Sequence, residues 1–168
     1  MDRECDGSLA NKDGTKIGGQ WLMNKADLIK GTYLFRGIDA NDLTALLGIT
    51  EQTVLQAGQL AYDVDQLSDA IFIIEMGTID IVVKGKQAPV ATMGNGQTLG
   101  ELAFFEPDKR FATATARERT QLVRIPFDKL AGLLTDRPAL ALLFYRNACA
   151  FFAKHIRELG SERDRRYF

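Results

Sequence analysis

The chain has 168 residues, 46% of them apolar and 26% charged, and a formal net charge of -1. That is long enough for one domain with a substantial core. The charge is too balanced for the attraction to phosphate backbones that most nucleic-acid binders exert, so no direct nucleic-acid partner is expected. No stretch approaches the roughly 18 consecutive apolar residues of a membrane-spanning helix. The acidic, polar start from Met1 to Lys16 lacks the basic and apolar runs of a signal peptide. A cytoplasmic protein without membrane attachment is the expectation. Cys5 and Cys149 sit far apart in unlike contexts and read as two reduced thiols, not as a disulfide.

In chain order, residues 1–20 read as a mobile leader, with Gly18-Gly19 as a breaker. Residues 21–160 form the domain and 161–168 a charged tail. Helical spacing runs from Trp21 to Leu47, first through Leu22, Ala26 and Ile29. It resumes through Leu43, Leu46 and Leu47 after Asp39, a residue suited to an N-cap. Trp21 reads as a core or staple aromatic. The middle predicts short strands at Thr53 to Gln56, Leu60 to Tyr62, Ile71 to Ile74, Ile79 to Val83, Val90 to Met93 and Leu122 to Ile125. Ile71 to Ile81 reads as a hairpin turning at Gly77, which supplies a positive φ. Helices return from Phe127 to Leu134 and from Pro138 onward, where Leu140, Leu143, Phe144, Phe151, Phe152 and Ile156 make a broad apolar stripe. The fold class is therefore α+β: an antiparallel β-roll of jelly-roll type with N-terminal helices and a long C-terminal helix.

Chemistry concentrates in Gly96-Gln97-Thr98-Leu99-Gly100-Glu101-Leu102-Ala103-Phe104-Phe105, followed by Arg110-Phe111-Ala112-Thr113. Gly100 permits close approach of backbone to a ligand, and Glu101 to Phe105 can form one helical turn with outward-facing amides. Arg110 can bind phosphate oxygens bidentately, and Thr113 adds a hydroxyl. An anion-binding set and a carboxylate acceptor thus share one short segment, which suits a ligand with both phosphate and sugar hydroxyls. Taken alone, Arg110 could equally pair with Asp108 or Glu106 at the surface, a contact of small value.

Gly-Glu-Leu-Ala, a spacer, then Arg-x-Ala-Thr resembles the phosphate-binding cassette of cyclic nucleotide-binding domains. Such domains occur in catabolite activator proteins, regulatory subunits of cAMP-dependent kinase and cyclic-nucleotide-gated channels. The likeness is collinear from about Leu34 to Leu159. Gly58-Gln59-Leu60-Ala61-Tyr62 stands where the family has Gly-Glu-x-Ile-Phe, and Ile71-Phe72-Ile73-Ile74 through Gly77 matches its Leu-Tyr-Ile-Ile-x-x-Gly. Val123-Arg124-Ile125 and Arg137-Pro138 agree downstream. Two scaffold positions depart: Asp65-Gln66 replaces the usual Gly-Asp, and Gln59 replaces a glutamate. Altered loops are expected there.

The resemblance implies a non-catalytic sensor of a 3′,5′-cyclic nucleotide, with no cofactor and no metal. Glu101 would accept the ribose 2′-hydroxyl and Arg110 would pair with the cyclic phosphate. Thr113 and the amides of Ala103 and Ala112 would complete the cradle, with Gly100 and Leu102 near the sugar. Phe111 stands where cGMP-selective members often carry threonine, which favours cAMP. Candidates to cap the base from the long helix are Lys154, His155 and Ile156, of which His155 is the chain's only histidine. Pairing of that helix with its copy implies a homodimer, and an unidentified protein partner would receive the signal. The competing reading is the same fold without nucleotide, serving as a dimerisation or docking scaffold. A transcription factor of the catabolite-activator type is disfavoured, because only nine residues follow Leu159 where such proteins carry a helix-turn-helix. Enzyme classes fare worse. One histidine cannot furnish a cupin-type metal site, and neither cysteine nor any Gly-x-Ser-x-Gly offers an activated nucleophile.

Overall fold

The computed structural model describes residues 16–17, 20–21, 24–106 and 109–164, with side chains for 24–106, 109–158 and 160. Leu22, Cys5, Asp108 and most of the predicted leader lie outside these residues, as do the side chains of Trp21 and of the charged tail. A two-stranded ladder joins β1 (Lys16–Ile17) to β2 (Gln20–Trp21). Two short helices follow, each started by a side-chain cap. Asn24 accepts from the Ala26 amide at 3.1 Å to open α1 (Lys25–Gly31), and Asp39 accepts from the Asp42 amide at 2.8 Å to open α2 (Ala40–Ile49).

Eight strands then build two four-stranded antiparallel sheets. One has the order β3 (Glu51–Leu55), β10 (Thr120–Pro126), β5 (Ala70–Met76), β8 (Thr98–Leu99). The other runs β4 (Leu60–Tyr62), β9 (Ala112–Ala116), β6 (Ile79–Val83), β7 (Ala91–Met93). The short α3 (Leu102–Phe105) leaves β8, and α4 (Phe127–Asp136) and α5 (Pro138–Asp164) close the chain. This is the antiparallel β-roll with flanking helices that the strand pattern predicts.

Strand β5 explains why its sequence is apolar without alternation: both of its faces are covered. Ile71 and Ile73 belong to a core shared with the helices, among Leu28, Leu46, Leu130 and Phe144. Phe72 and Ile74 belong to a second core inside the roll, with Ile79, Leu99, Ala114 and Leu122. Strand β10 divides its residues likewise, Val123 and Ile125 to the helices and Leu122 to the roll. The first sheet is thus the wall between two hydrophobic cores.

Sequence and structure part company at Gly77. Strands β5 and β6 are not a hairpin: β5 pairs with β10 and β8, whereas β6 pairs with β9 and β7. The chain instead crosses from one sheet to the other at Gly77, with φ at 100°. A Cβ at Gly77 would lie 2.8 Å from the Thr120 Cα and 2.9 Å from the Arg119 carbonyl oxygen. Glycine is needed here for a close crossing under the β9–β10 turn.

Candidate functional site

Arg110 is the centre of the site, and it is almost wholly buried, with 4% of its surface exposed. Its backbone is pinned to the turn of residues 65–66. The Asp65 amide donates to the Arg110 carbonyl, and the Arg110 amide donates to the Gln66 carbonyl, both at 2.8 Å. The guanidinium donates through Nη1 to the Gly100 carbonyl at 2.9 Å and through Nη2 to the Ala70 carbonyl at 2.8 Å. It lies over the Tyr62 ring, 4.2 Å from the centroid. Gly100, at φ 79°, makes this possible, because a Cβ there would collide with the guanidinium. A surface pairing with Glu106, which a lone arginine would suggest, gives way to this inward arrangement, while Asp108 lies outside the described residues.

Charge compensation is incomplete. The carboxylate of Asp69 lies 3.8 Å from Nη2 but is 65% exposed and bonds Arg124 at 2.6 Å. The Nε–H is buried with no hydrogen-bond partner among the described residues. Burial lowers the pKa of the guanidinium, with Tyr62, Asp69 and Glu101 opposing the effect. A buried cation with a spare donor is costly unless an anion joins it. Tyr62, half-buried beneath it, has its phenol pushed up to about 12, mainly by desolvation.

This guanidinium lines a cavity of about 280 Å³ whose other walls come from β6, β7, β8 and the start of β9. The strand register explains its room. In β9 the inward positions are Ala112, Ala114 and Ala116, small residues that leave space under the cassette. Gly100, Glu101, Leu102, Ala103, Arg110, Phe111 and Ala112 all line it. Leu102 and Phe111 are its exposed rim, the latter 60% exposed. The first hydrogen bond of α3 runs from the Phe104 amide to the Glu101 carbonyl at 2.9 Å, so the amides of Leu102 and Ala103 precede it.

Thr113 departs from its expected place. The two-residue period of β9 turns it to the face opposite Ala112, away from the cavity. There its hydroxyl donates to Asp63 at 2.5 Å and accepts from the Val64 amide at 3.2 Å. Thr113 secures the turn that pins Arg110 and does not join the cradle. The polar wall is instead supplied by Ser68 and Thr98, whose buried hydroxyl oxygens have no hydrogen-bond partner among the described residues. Ser68 stands outside the segment in which the sequence concentrates its chemistry, whereas Thr98 lies inside it, two residues before Gly100.

A second cavity of about 600 Å³ adjoins the first, sharing Met93, Thr98, Glu101 and Leu102, and reaches α5. His155 and Ile156 line it, whereas Lys154 does not. His155 packs on Phe151 with centroids 4.6 Å apart, and its Nδ1 lies 3.9 Å from Glu158. Glu101 sits between the two cavities. Burial raises the pKa of its carboxyl, partly offset by its own backbone, Tyr33, Arg110 and His155.

The departing turn residues make contacts of their own within these loops. Asp65 is the one non-glycine at positive φ (64°) among the described residues, so it adopts the conformation that glycine takes more easily, and its carboxylate bonds Lys84 at 2.7 Å. Gln66 accepts from the Asp63 amide at 2.9 Å, and Gln59 accepts from the Gln56 amide at 2.7 Å.

The sequence profile of the cyclic nucleotide-binding domain matches residues 52–137, just over half of the chain. The chain belongs to the cyclic nucleotide-binding domain family. Among curated members it is 24% identical over 139 residues to the cyclic AMP receptor protein of Thermus thermophilus, covering 81% of this chain and 62% of that one. A cAMP-dependent protein kinase regulatory subunit of Candida albicans is 30% identical over 105 residues, covering 62% of this chain and 22% of its own length. This cyclic nucleotide-binding domain therefore spans less than two thirds of those relatives. The fold matches the N-terminal domain of a transcriptional regulator from Streptomyces coelicolor with a TM-score of 0.71 at 22% identity, covering 79% of this chain and 95% of that one.

Proposed function

We propose that this chain is a non-catalytic sensor that binds a 3′,5′-cyclic nucleotide, cAMP in preference to cGMP, and signals by repositioning α5. The observation that carries the reading is Arg110: a buried cation whose Nε–H has no partner among the described residues, on the wall of a cavity and one loop away from the half-buried Glu101 carboxylate. A cyclic phosphate satisfies the cation and a ribose hydroxyl satisfies Glu101. Phe111, next to Arg110 and exposed at the rim, offers no hydroxyl to a guanine amino group, which supports adenine. The relatives named for cyclic AMP agree with that preference.

A homodimer through α5 belongs to the same reading. Leu142, Tyr145, Cys149, Phe152 and Ile156 recur at steps of three and four, the seam of a two-stranded coiled coil. Leu142 and Ile156 are 63% and 68% exposed, and Cys149 is an exposed free thiol. A second copy of the helix would cover this stripe, and a protein partner would read its position. Among the described residues, no helix is long and apolar enough to cross a membrane. A cytoplasmic domain of residues 21–160 remains the proposal.

Calorimetric titration with cAMP and with cGMP tests the reading. Two or three charge-assisted hydrogen bonds at roughly 1.5–3 kcal/mol each, with burial of the base, bring affinity to the micromolar range, about -8 kcal/mol. Arg110→Ala is expected to lose at least ~100-fold, equal to about 2.8 kcal/mol. Because Arg110 also ties two carbonyls, its unfolding is recorded in parallel, and Glu101→Gln serves as a variant that leaves the guanidinium in place. No heat with either nucleotide at millimolar concentration would move the assignment to a nucleotide-free scaffold.

Acidity gives an independent check. Glu101 accepts a ribose hydroxyl as a carboxylate, and its raised pKa means that it takes up a proton at higher pH than a solvated glutamate, near 4.3. Affinity should therefore fall on acidification, starting above the ordinary carboxylate range. Tyr33, Arg110 and His155 also face this carboxyl, so the parent profile is compared with that of Glu101→Gln. The glutamate's contribution is the limb missing from the variant. Identical profiles would remove Glu101 from the site.

A further inference from the structure

Tyr33 lies in the turn between α1 and α2 and was not singled out by the sequence, yet it touches both halves of the sensor. Its ring stacks on Phe151 of α5, centroids 3.8 Å apart and planes 13° from parallel. Its hydroxyl is buried, faces the Glu101 carboxyl and has no hydrogen-bond partner among the described residues. Desolvation raises the pKa of this phenol, and the Glu101 charge raises it further. Both residues line the larger cavity beside His155 and Ile156.

Helix α5 is held in two unequal halves. Its first half is anchored by the buried Leu140, Phe144 and Ala148, and by Asn147, whose amide donates to the carbonyls of Leu34 and Arg36 at 3.1 and 2.9 Å. From residue 153 to residue 158 every described side chain is exposed. At the junction the ring contacts are Tyr33 on Phe151 and Phe105 on Phe152. The first of these also reaches Glu101.

We propose that Tyr33 is a positioning residue that couples Glu101 to α5: its hydroxyl and a sugar hydroxyl compete for one carboxylate, and its ring carries the outcome to Phe151. This inference rests on the nucleotide-binding reading above. A ribose hydroxyl that reaches Glu101 displaces the phenol, and displacement breaks the stack that holds the second half of α5. A sugar without that hydroxyl leaves Tyr33 in place.

Two variants separate the tip from the ring. Tyr33→Phe keeps the stack and removes the competitor, so cAMP should bind about three- to tenfold tighter than to the parent. The affinity for 2′-deoxy-cAMP should be unchanged, a pairing of results that general loosening of the fold would not give. Equal gains for both ligands, or none for cAMP, overturn the competition. Tyr33→Leu removes the ring, and amide exchange across residues 149–158 in protein without nucleotide should accelerate at least tenfold, whereas Tyr33→Phe leaves it at the parent rate. Unchanged exchange in Tyr33→Leu overturns the coupling. If the parent binds neither nucleotide, the functional reading and the competition fall, and the exchange measurement still decides whether Tyr33 holds α5.

Discussion

Gly77→Ala is expected to lower stability by about 3 kcal/mol or more, read from the denaturant midpoint at unchanged slope. Two costs combine. A φ of 100° is foreign to an L side chain and costs on the order of 1–3 kcal/mol, and forcing a methyl into a filled space costs a similar amount. The neighbours that would have to yield include Thr120 Cα at 2.8 Å and the Arg119 carbonyl at 2.9 Å, backbone atoms at the start of a central strand. Gly85 is the control. It has a comparable φ of 81° with nothing within 4 Å of a built Cβ, so Gly85→Ala carries strain alone, about 1–2 kcal/mol. Equal losses in the two variants would show that the close crossing between the sheets is not what Gly77 provides.

Phe144→Ala should cost about 3–5 kcal/mol, the range for emptying a fully buried aromatic site. Phe144 is 0% exposed and joins three elements. Its ring lies 5.5 Å from those of Phe35, Phe104 and Phe105, the last of these nearly parallel at 16°. Two of those partners form half of α3, so Phe144 is where the cassette helix meets α5. Its removal should therefore loosen two regions together, with faster exchange in residues 102–106 as well as 140–148. Phe144→Leu, which keeps most of the volume, should lose far less, on the order of 1–1.5 kcal/mol. A loss below 1 kcal/mol for the alanine variant would mean that the contact between α3 and α5 is incidental.

What the sequence made legible follows the distance along the chain over which each feature is written. The cassette was readable because Gly100, Glu101 and Arg110 lie within eleven consecutive residues and carry their chemistry in their types. Helix starts at Asp39 and Pro138 were readable for the same local reason. Strand partners were not. Ile71 to Ile81 looks like a hairpin from within, but β5 takes its neighbours from residues 98–99 and 121–126. Strand β9, with the sequence ATATA, passed unmarked as a strand because its inward residues are alanines, too weakly apolar to register. The face of Thr113 followed from that same omission. Tyr33 could not be found at all, since its meaning comes from partners 68 and 118 residues away. Asp65 is a further case: read only as a departure in a loop, it takes a left-handed backbone.

The position of β10 also shapes how the chain reaches this structure. It is the last strand among the described residues, yet it lies between β3 and β5, pairing Thr120 with Leu55 and Ile125 with Ile71. During synthesis β3 and β5 emerge early and keep unpaired edges until residue 126 is available. Such distant pairings carry a high loop-closure entropy, and folds dominated by them form slowly. The nascent chain therefore holds its cassette residues in full before it has the wall against which they fold. Its exposed β5, apolar on both faces, is the segment that most needs shielding in that interval.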